Sequence, residues 1–317
     1  MKKIISSTCF VILLVVVLGV SNAYFFVPDL EYQGESVAYR GGGGLIDYNK
    51  LNKTSCIAKS LLESEVSTVE NTLEAVASSV NAGADVIHLN VHRTLDDQLV
   101  VFHDWTLDCA TNARGPVNQV LYQDLESVDA GFAYTFDDGG TFPYRGQGFK
   151  ISRLNEFYSQ FPEHKFWINL KGNDEHSFDL LYSYLSSSPS IYSRKTMVIT
   201  SSKGISWFRR IDSSIRVISV GSVKDCGIDY LLLGWAGIVP ESCKNTTLFI
   251  PPSKAKYFWG YPKRLASRLQ EQGTDVYLWS KHQPIDPTLV DVVVDGIGVV
   301  TSDATFISKA QEKRRAN

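Results

Sequence analysis

The chain predicts an α/β protein, a TIM (β/α)8 barrel forming a single domain with an insertion around residues 110–150. Three observations carry this. Short β-branched runs alternate with amphipathic stretches along most of the 317 residues, the pattern of a parallel sheet. There are about eight such units, the number that closes a barrel. No glycine-rich dinucleotide fingerprint is present to favour an open doubly wound sheet, the competing architecture.

The N-terminus reads as a targeting segment. Lys2 and Lys3 precede an apolar run from Phe10 to Val20, and Ser21-Asn22-Ala23 places small residues before a cleavage point after Ala23. That is the order of a secretory signal peptide over residues 1–23. The alternative is an uncleaved membrane anchor, with association through residues 8–27, because Tyr24-Phe25-Phe26-Val27 extends the apolar stretch. Either reading implies a secreted, periplasmic or extracellular chain, or one anchored at a membrane. The barrel then spans 24–311, and 312–317 form a polar tail. Strands are expected near residues 36–40, 85–92, 98–103, 165–171, 196–201, 216–220, 248–251, 276–279 and 296–301. Helices are expected near 70–81, 152–160, 176–186, 204–212, 262–272, 287–292 and 303–311. The stretch 110–150 holds Gly115, Gly131, Gly139, Gly140, Gly146 and Gly148 with few apolar runs. It begins just after a strand ends at His103-Asp104, so it is either a lid over a barrel mouth or a structural excursion.

The formal net charge of −3 gives no argument for nucleic acid as a partner. Of five cysteines, Cys56, Cys109, Cys226 and Cys243 follow the leader. An even count in a secretory chain permits two disulfides in three connectivities, and sequence proximity favours Cys226–Cys243 and Cys56–Cys109. Two sequons, Asn52-Lys53-Thr54 and Asn245-Thr246-Thr247, would matter in a eukaryotic secretory pathway.

Five stretches together resemble the glycerophosphodiester phosphodiesterase family, of the phospholipase-C-like phosphodiesterase superfamily. They are Val37-Ala38-Tyr39-Arg40-Gly41-Gly42-Gly43-Gly44, Glu70-Asn71-Thr72, Val101-Phe102-His103-Asp104-Trp105-Thr106-Leu107-Asp108, Gly140-Thr141-Phe142-Pro143-Tyr144-Arg145-Gly146 and Ile168-Asn169-Leu170-Lys171. The resemblance implies a TIM barrel and phosphoric diester hydrolysis in lipid or glycerophosphodiester metabolism. It implies two histidines as acid and base, three acids holding a divalent cation, and an arginine and a lysine on the phosphate. The chemistry is sound: a leaving group needs a proton, a nucleophile must lose one, and the phosphoryl charge needs a cationic clamp.

At those positions this sequence departs from the family. The first histidine position is Tyr39, whose side-chain type is a poor base at neutral pH. The acid positions are His88, Asn90 and Asn169. At about 2.3 Å and an effective dielectric of about 20, each lost carboxylate removes roughly 7 kcal/mol of gross attraction for a hard cation. No cofactor is therefore expected, magnesium and calcium least of all. An imidazole site for zinc at His88, His92 and His103 is an alternative, against hydrogen-bonded filling by His88 and a rim position for His92. His103, the remaining family histidine, is the catalytic candidate, with Tyr39 as its altered partner. Arg40 and Lys171 are the substrate-binding candidates, set against a structural pairing of Arg40 with Glu70. With three acids gone and two cations kept, the mouth is expected to be positive. Gly41–Gly44 either present N–H groups to a phosphate or form a tight turn. The reading is a catalytically impaired family member, a pseudoenzyme, that binds a phosphorylated small molecule or lipid headgroup. The alternatives are an active hydrolase with altered machinery and an interaction barrel without ligand.

Overall fold

The computed structural model describes residues 2–24, 32–51, 56–63, 67–187, 191, 196–280 and 284–316. The sequon Asn52-Lys53-Thr54 and the apolar residues Phe25, Phe26 and Val27 lie outside them. The fold is a TIM (β/α)8 barrel, with eight parallel strands alternating with helices along the chain. It falls into two compact units: residues 35–219, 280–291 and 299–317, and residues 1–34, 220–279 and 292–298.

The larger unit holds β1 (Ser36–Ala38), β2 (Val86–Arg93), β3 (Leu99–Val101), β4 (Lys165–Leu170), β5 (Thr196–Ile199) and β6 (Arg216–Ile218). In the smaller unit β7 (Thr247–Ile250) pairs in parallel with β8 (Asp275–Trp279). The last strand, β9 (Gly298–Thr301), pairs with β1, so the larger unit runs β6-β5-β4-β2-β1-β9. β3 is antiparallel to β2. All nine expected strand positions are occupied. β2 shows why: Ile87, Leu89 and Val91 join one apolar cluster with Phe157, Phe166 and Phe178, while His88, Asn90 and His92 point to the other face.

Helix starts follow their caps. The Thr72 hydroxyl accepts from the Ala75 N–H at the head of Leu73–Asn81, and Asp174 accepts from the Ser177 N–H at the head of Glu175–Ser186. Four expectations are corrected. β1 stops at Ala38, and Tyr39–Gly41 form a 3-10 turn. Val220–Leu233 is a helix where none is expected, because Gly221 and Gly227 break its pattern. Pro287–Asp295 is 3-10 rather than α-helical. Residues 312–315 are not a tail but the end of helix Ala304–Arg315, where Arg314 pairs with Asp85 at 2.7 Å.

Residues 110–150 form an excursion with its own core rather than a bare lid. Leu107, Val117, Leu125, Tyr134, Tyr144 and Ile151 pack with Ile46 and Leu61 from the loop after β1. The Cys56–Cys109 disulfide staples the same two segments, with Cα atoms 5.3 Å apart. In the smaller unit Cys226–Cys243 closes a separation of 17 residues, so both favoured pairings are present. The chain-entropy account gives about 3 kcal/mol for a loop of that size. Replacing Cys226 and Cys243 together by Ser is expected to lower stability by about that amount in a urea titration.

The smaller unit also contains the N-terminal helix Lys2–Tyr24. The Asn22 carbonyl accepts from Arg268 Nη2 at 2.7 Å, and Gly19 lies so close to Trp235 that a Cβ there would meet the indole ring at 2.7 Å. Among the described residues, no helix is long and apolar enough to cross a membrane.

Candidate active site

The site is built on the turn after β1 and on one face of β2. Arg40 sits in the left-handed region at φ 56°, a conformation that costs a non-glycine residue free energy and must be held by its surroundings. Three interactions hold it. Its N–H donates to His88 Nδ1 at 3.1 Å, its carbonyl accepts from the Asn71 N–H at 2.7 Å, and Nη1 donates to both Glu70 carboxylate oxygens at 3.0 and 2.8 Å. Asn71, also left-handed at φ 60°, accepts on Oδ1 from the Asn90 N–H at 3.0 Å. The string Glu70-Asn71-Thr72 thus supplies an ion pair, a strand tether and a helix cap. The glycines serve the tight-turn alternative: a Cβ on Gly42 would strike Ser79 Oγ at 2.2 Å, and one on Gly43 the Glu70 N at 2.6 Å.

His88 accepts on Nδ1, so its proton is on Nε2. Its ring stacks on Tyr39 with centroids 4.9 Å apart. Burial, then the positive charges of Arg40 and Lys171, hold its pKa well below the usual imidazole value. His92 is not at the rim. It is 3% exposed, packs edge-on to Trp105 at 5.4 Å, and burial followed by Lys171 lowers its pKa to about 3. Asn90 faces Asn169 in the β2–β4 register.

The Phe102 N–H donates to the Asn90 carbonyl, which brings His103 beside β2. His103 Nδ1 lies 2.7 Å from Asp104 Oδ1, the geometry of an N–H donating to a carboxylate, which leaves Nε2 as the lone-pair nitrogen. Burial, then Arg40, lowers the His103 pKa well below 6.5, while burial raises that of Asp104. Lys171 continues β4, its N–H donating to the Val91 carbonyl. Burial, then Arg40, lowers its pKa to about 8, against Asp104 and Glu70, which raise it. A small cavity of about 10 Å3, room for about one water molecule, is lined by Glu70, Asn71, His103, Asp104, Tyr134 and Lys150, among others.

Two of these groups correct the expected charge. Glu70 and Asp104 offset Arg40 and Lys171, so the formal charges of the site balance rather than leaving it positive. Asp104 went unassigned in the sequence, though its place beside His103 was the available signal. Arg40 is 5% exposed and its Nη1 is committed to Glu70 in a structural ion pair.

The residues do not fit the divalent cation of the family. Asn90 and Asn169 are neutral amides and His88 Nδ1 is taken by a backbone donor, so none of the three positions offers a carboxylate. Among the described residues, no group of three or more His, Cys, Asp or Glu side chains is arranged to hold a metal ion, the imidazoles of His88, His92 and His103 included. Among the described residues, Asn71 Nδ2, Asn90 Oδ1, Asn90 Nδ2 and His92 Nε2 are buried with no hydrogen-bond partner, a set of donors and acceptors suited to polar groups.

The chain is similar to known proteins in sequence and in fold. A glycerophosphodiester phosphodiesterase of Caldanaerobacter subterraneus subsp. tengcongensis is 33% identical over 102 residues, covering 32% of this chain and 39% of that protein. The Lysophospholipase D GDPD1 of Mus musculus is 30% identical over 106 residues, 33% of each. The chain thus spans less than half the length of these curated relatives. Among solved structures, the glycerophosphoryl diester phosphodiesterase domain of Rv2277c from Mycobacterium tuberculosis superposes with TM-score 0.62 at 16% identity, covering 89% of this chain and 99% of that one. An Oleispira antarctica phosphodiesterase in complex with the product sn-glycerol-3-phosphate gives 0.52 at 17% identity, covering 92% and 99%. A sequence model described as the Glycerophosphoryl diester phosphodiesterase family matches residues 52–221, more than half of the chain, and the protein belongs to that family.

Proposed function

We propose that this protein binds a phosphorylated small molecule or lipid headgroup in its barrel mouth and has lost efficient diester hydrolysis. The observation that carries the reading is the fate of β2: where the family places acids, His88 and Asn90 stand, and His88 is locked neutral against the Arg40 N–H. Hydrolysis needs both a base and an acid in place. His103, oriented by Asp104, supplies one imidazole whose depressed pKa suits accepting a proton better than delivering one. Ground-state binding asks less. Lys171 offers a charge, and Asn71 and Asn90 offer buried donors. The Oleispira antarctica relative, with its bound glycerol phosphate, supports the ligand class. The two disulfides and the leader-like N-terminus support a secretory route, with residues 1–23 removed or retained as an anchor.

The test is titration calorimetry with glycerophosphocholine, whose diester charge does not change near neutral pH. Lys171 is protonated below about pH 8, so affinity is expected to hold below that value and fall as pH rises through it. Lys171→Ala is expected to weaken binding about tenfold or more and to remove the pH dependence. Equal affinity in wild type and Lys171→Ala would remove the lysine from the site. The intact His103–Asp104 pair favours the second reading, a hydrolase running on His103 with Tyr39.

A further inference from the structure

We infer that the smaller unit carries a docking surface for an anionic lipid bilayer, formed by the end of helix Val220–Leu233 and the turn that follows it, with the segment Lys254–Trp259 at its rim. Leu231, Leu232 and Leu233 are consecutive and all exposed, Leu232 at 65%, and Ile238 beyond the Gly234–Ala236 turn is 51% exposed. This helix buries only Cys226 and Tyr230, and its last three residues all stay at the surface. The cluster is therefore an apolar surface turned to the outside rather than the edge of a core.

Three further observations name the occupant. Trp259 Nε1 donates to the Leu231 carbonyl at 3.0 Å, and Tyr230 Oη donates to the Trp259 carbonyl at 3.0 Å, so Trp259, at the end of the segment 254–259, is tied to the last turn of this helix. That segment presents Lys254 and Lys256 over the ring of Tyr257, itself 59% exposed. Basic and aromatic side chains around an apolar centre suit a phospholipid interface: the ring settles at the headgroups and the cations meet anionic lipid. The same turn also holds the N-terminal helix, through Trp235 against Gly19 and Arg268 on both the Gly234 and Asn22 carbonyls. Outward from that contact the helix exposes Leu13, Leu14, Val16 and Leu18. Docking of this kind rests on the surface alone and needs no spanning helix.

The inference is tested on the full chain with vesicles of phosphatidylcholine and phosphatidylserine at about seven to three. Deuterium exchange is expected to slow on vesicle addition in peptides covering residues 228–238 and 254–259 as well as in the N-terminal helix. Leu232→Asp with Ile238→Asp, both at exposed positions, is expected to leave the thermal melt unchanged and to lower vesicle partitioning at least about tenfold. Lys254→Glu with Lys256→Glu is expected to remove the preference for phosphatidylserine over pure phosphatidylcholine vesicles. Protection confined to the N-terminal helix, with partitioning unchanged in both double variants, would overturn the assignment. Equal binding of wild type to both vesicle types would refute its anionic component.

Discussion

Arg40→Ala is expected to cost about 3–5 kcal/mol of stability, the penalty for stranding one member of a buried ion pair. Glu70 would be left ionised and buried with neither of its 3.0 and 2.8 Å bonds, and the left-handed turn at residue 40 would lose its main anchor. Charge chemistry and not volume is at stake. Arg40→Met with Glu70→Leu, which fills the space and removes both charges, is expected to recover most of the loss. Urea titration of the three proteins decides the point. An Arg40→Ala protein as stable as wild type would show that the pair contributes nothing. This stability role also dictates how the site must be probed: lost binding in Arg40→Ala is uninterpretable without a folding control, whereas Lys171 is half-buried and outside the pair.

Acidification is expected to unfold the protein through its buried imidazoles. In the folded state His92 titrates near 3 rather than 6.5, so an unfolded chain takes up a proton in that window while the native state does not. The sign follows directly: the stability is fully present above about pH 6.5 and drains away as pH falls toward 3. At about 1.4 kcal/mol per pH unit, His92 alone is worth on the order of 4–5 kcal/mol over the whole window. His88 and His103 shift in the same direction, burial being the largest cause for each. Urea midpoints are expected to fall steeply between pH 7 and pH 4.5, and less steeply in His92→Gln. A midpoint that does not move over that range would contradict the burial of neutral imidazoles.

Much of this was legible in the sequence because it depends on local pattern. The strand period separates Ile87, Leu89 and Val91 from His88, Asn90 and His92 without any coordinates, and that one alternation gives both a core face and a site face. The motif strings placed Tyr39, Arg40, His103, Asn169 and Lys171 in one site. What was not legible depends on tertiary partners. Glu70 lies 30 residues from Arg40, and only the fold shows that its carboxylate takes up the arginine and offsets its charge. His92 sits at the end of its run, a position that suggests a rim, yet Trp105 packs over it. Helix Val220–Leu233 escaped because its two glycines mask the pattern and few of its residues are buried.

The central claim is that the site keeps anion recognition after losing the means of hydrolysis. The most direct measurement follows glycerophosphocholine by phosphorus NMR with the protein at near-substrate concentration, first without metal and then with magnesium, calcium and zinc added in turn. The account predicts a broadened or shifted diester signal that reports binding, and no accumulation of phosphomonoester under any condition. Sustained metal-stimulated release of glycerol phosphate that disappears in His103→Ala would contradict it.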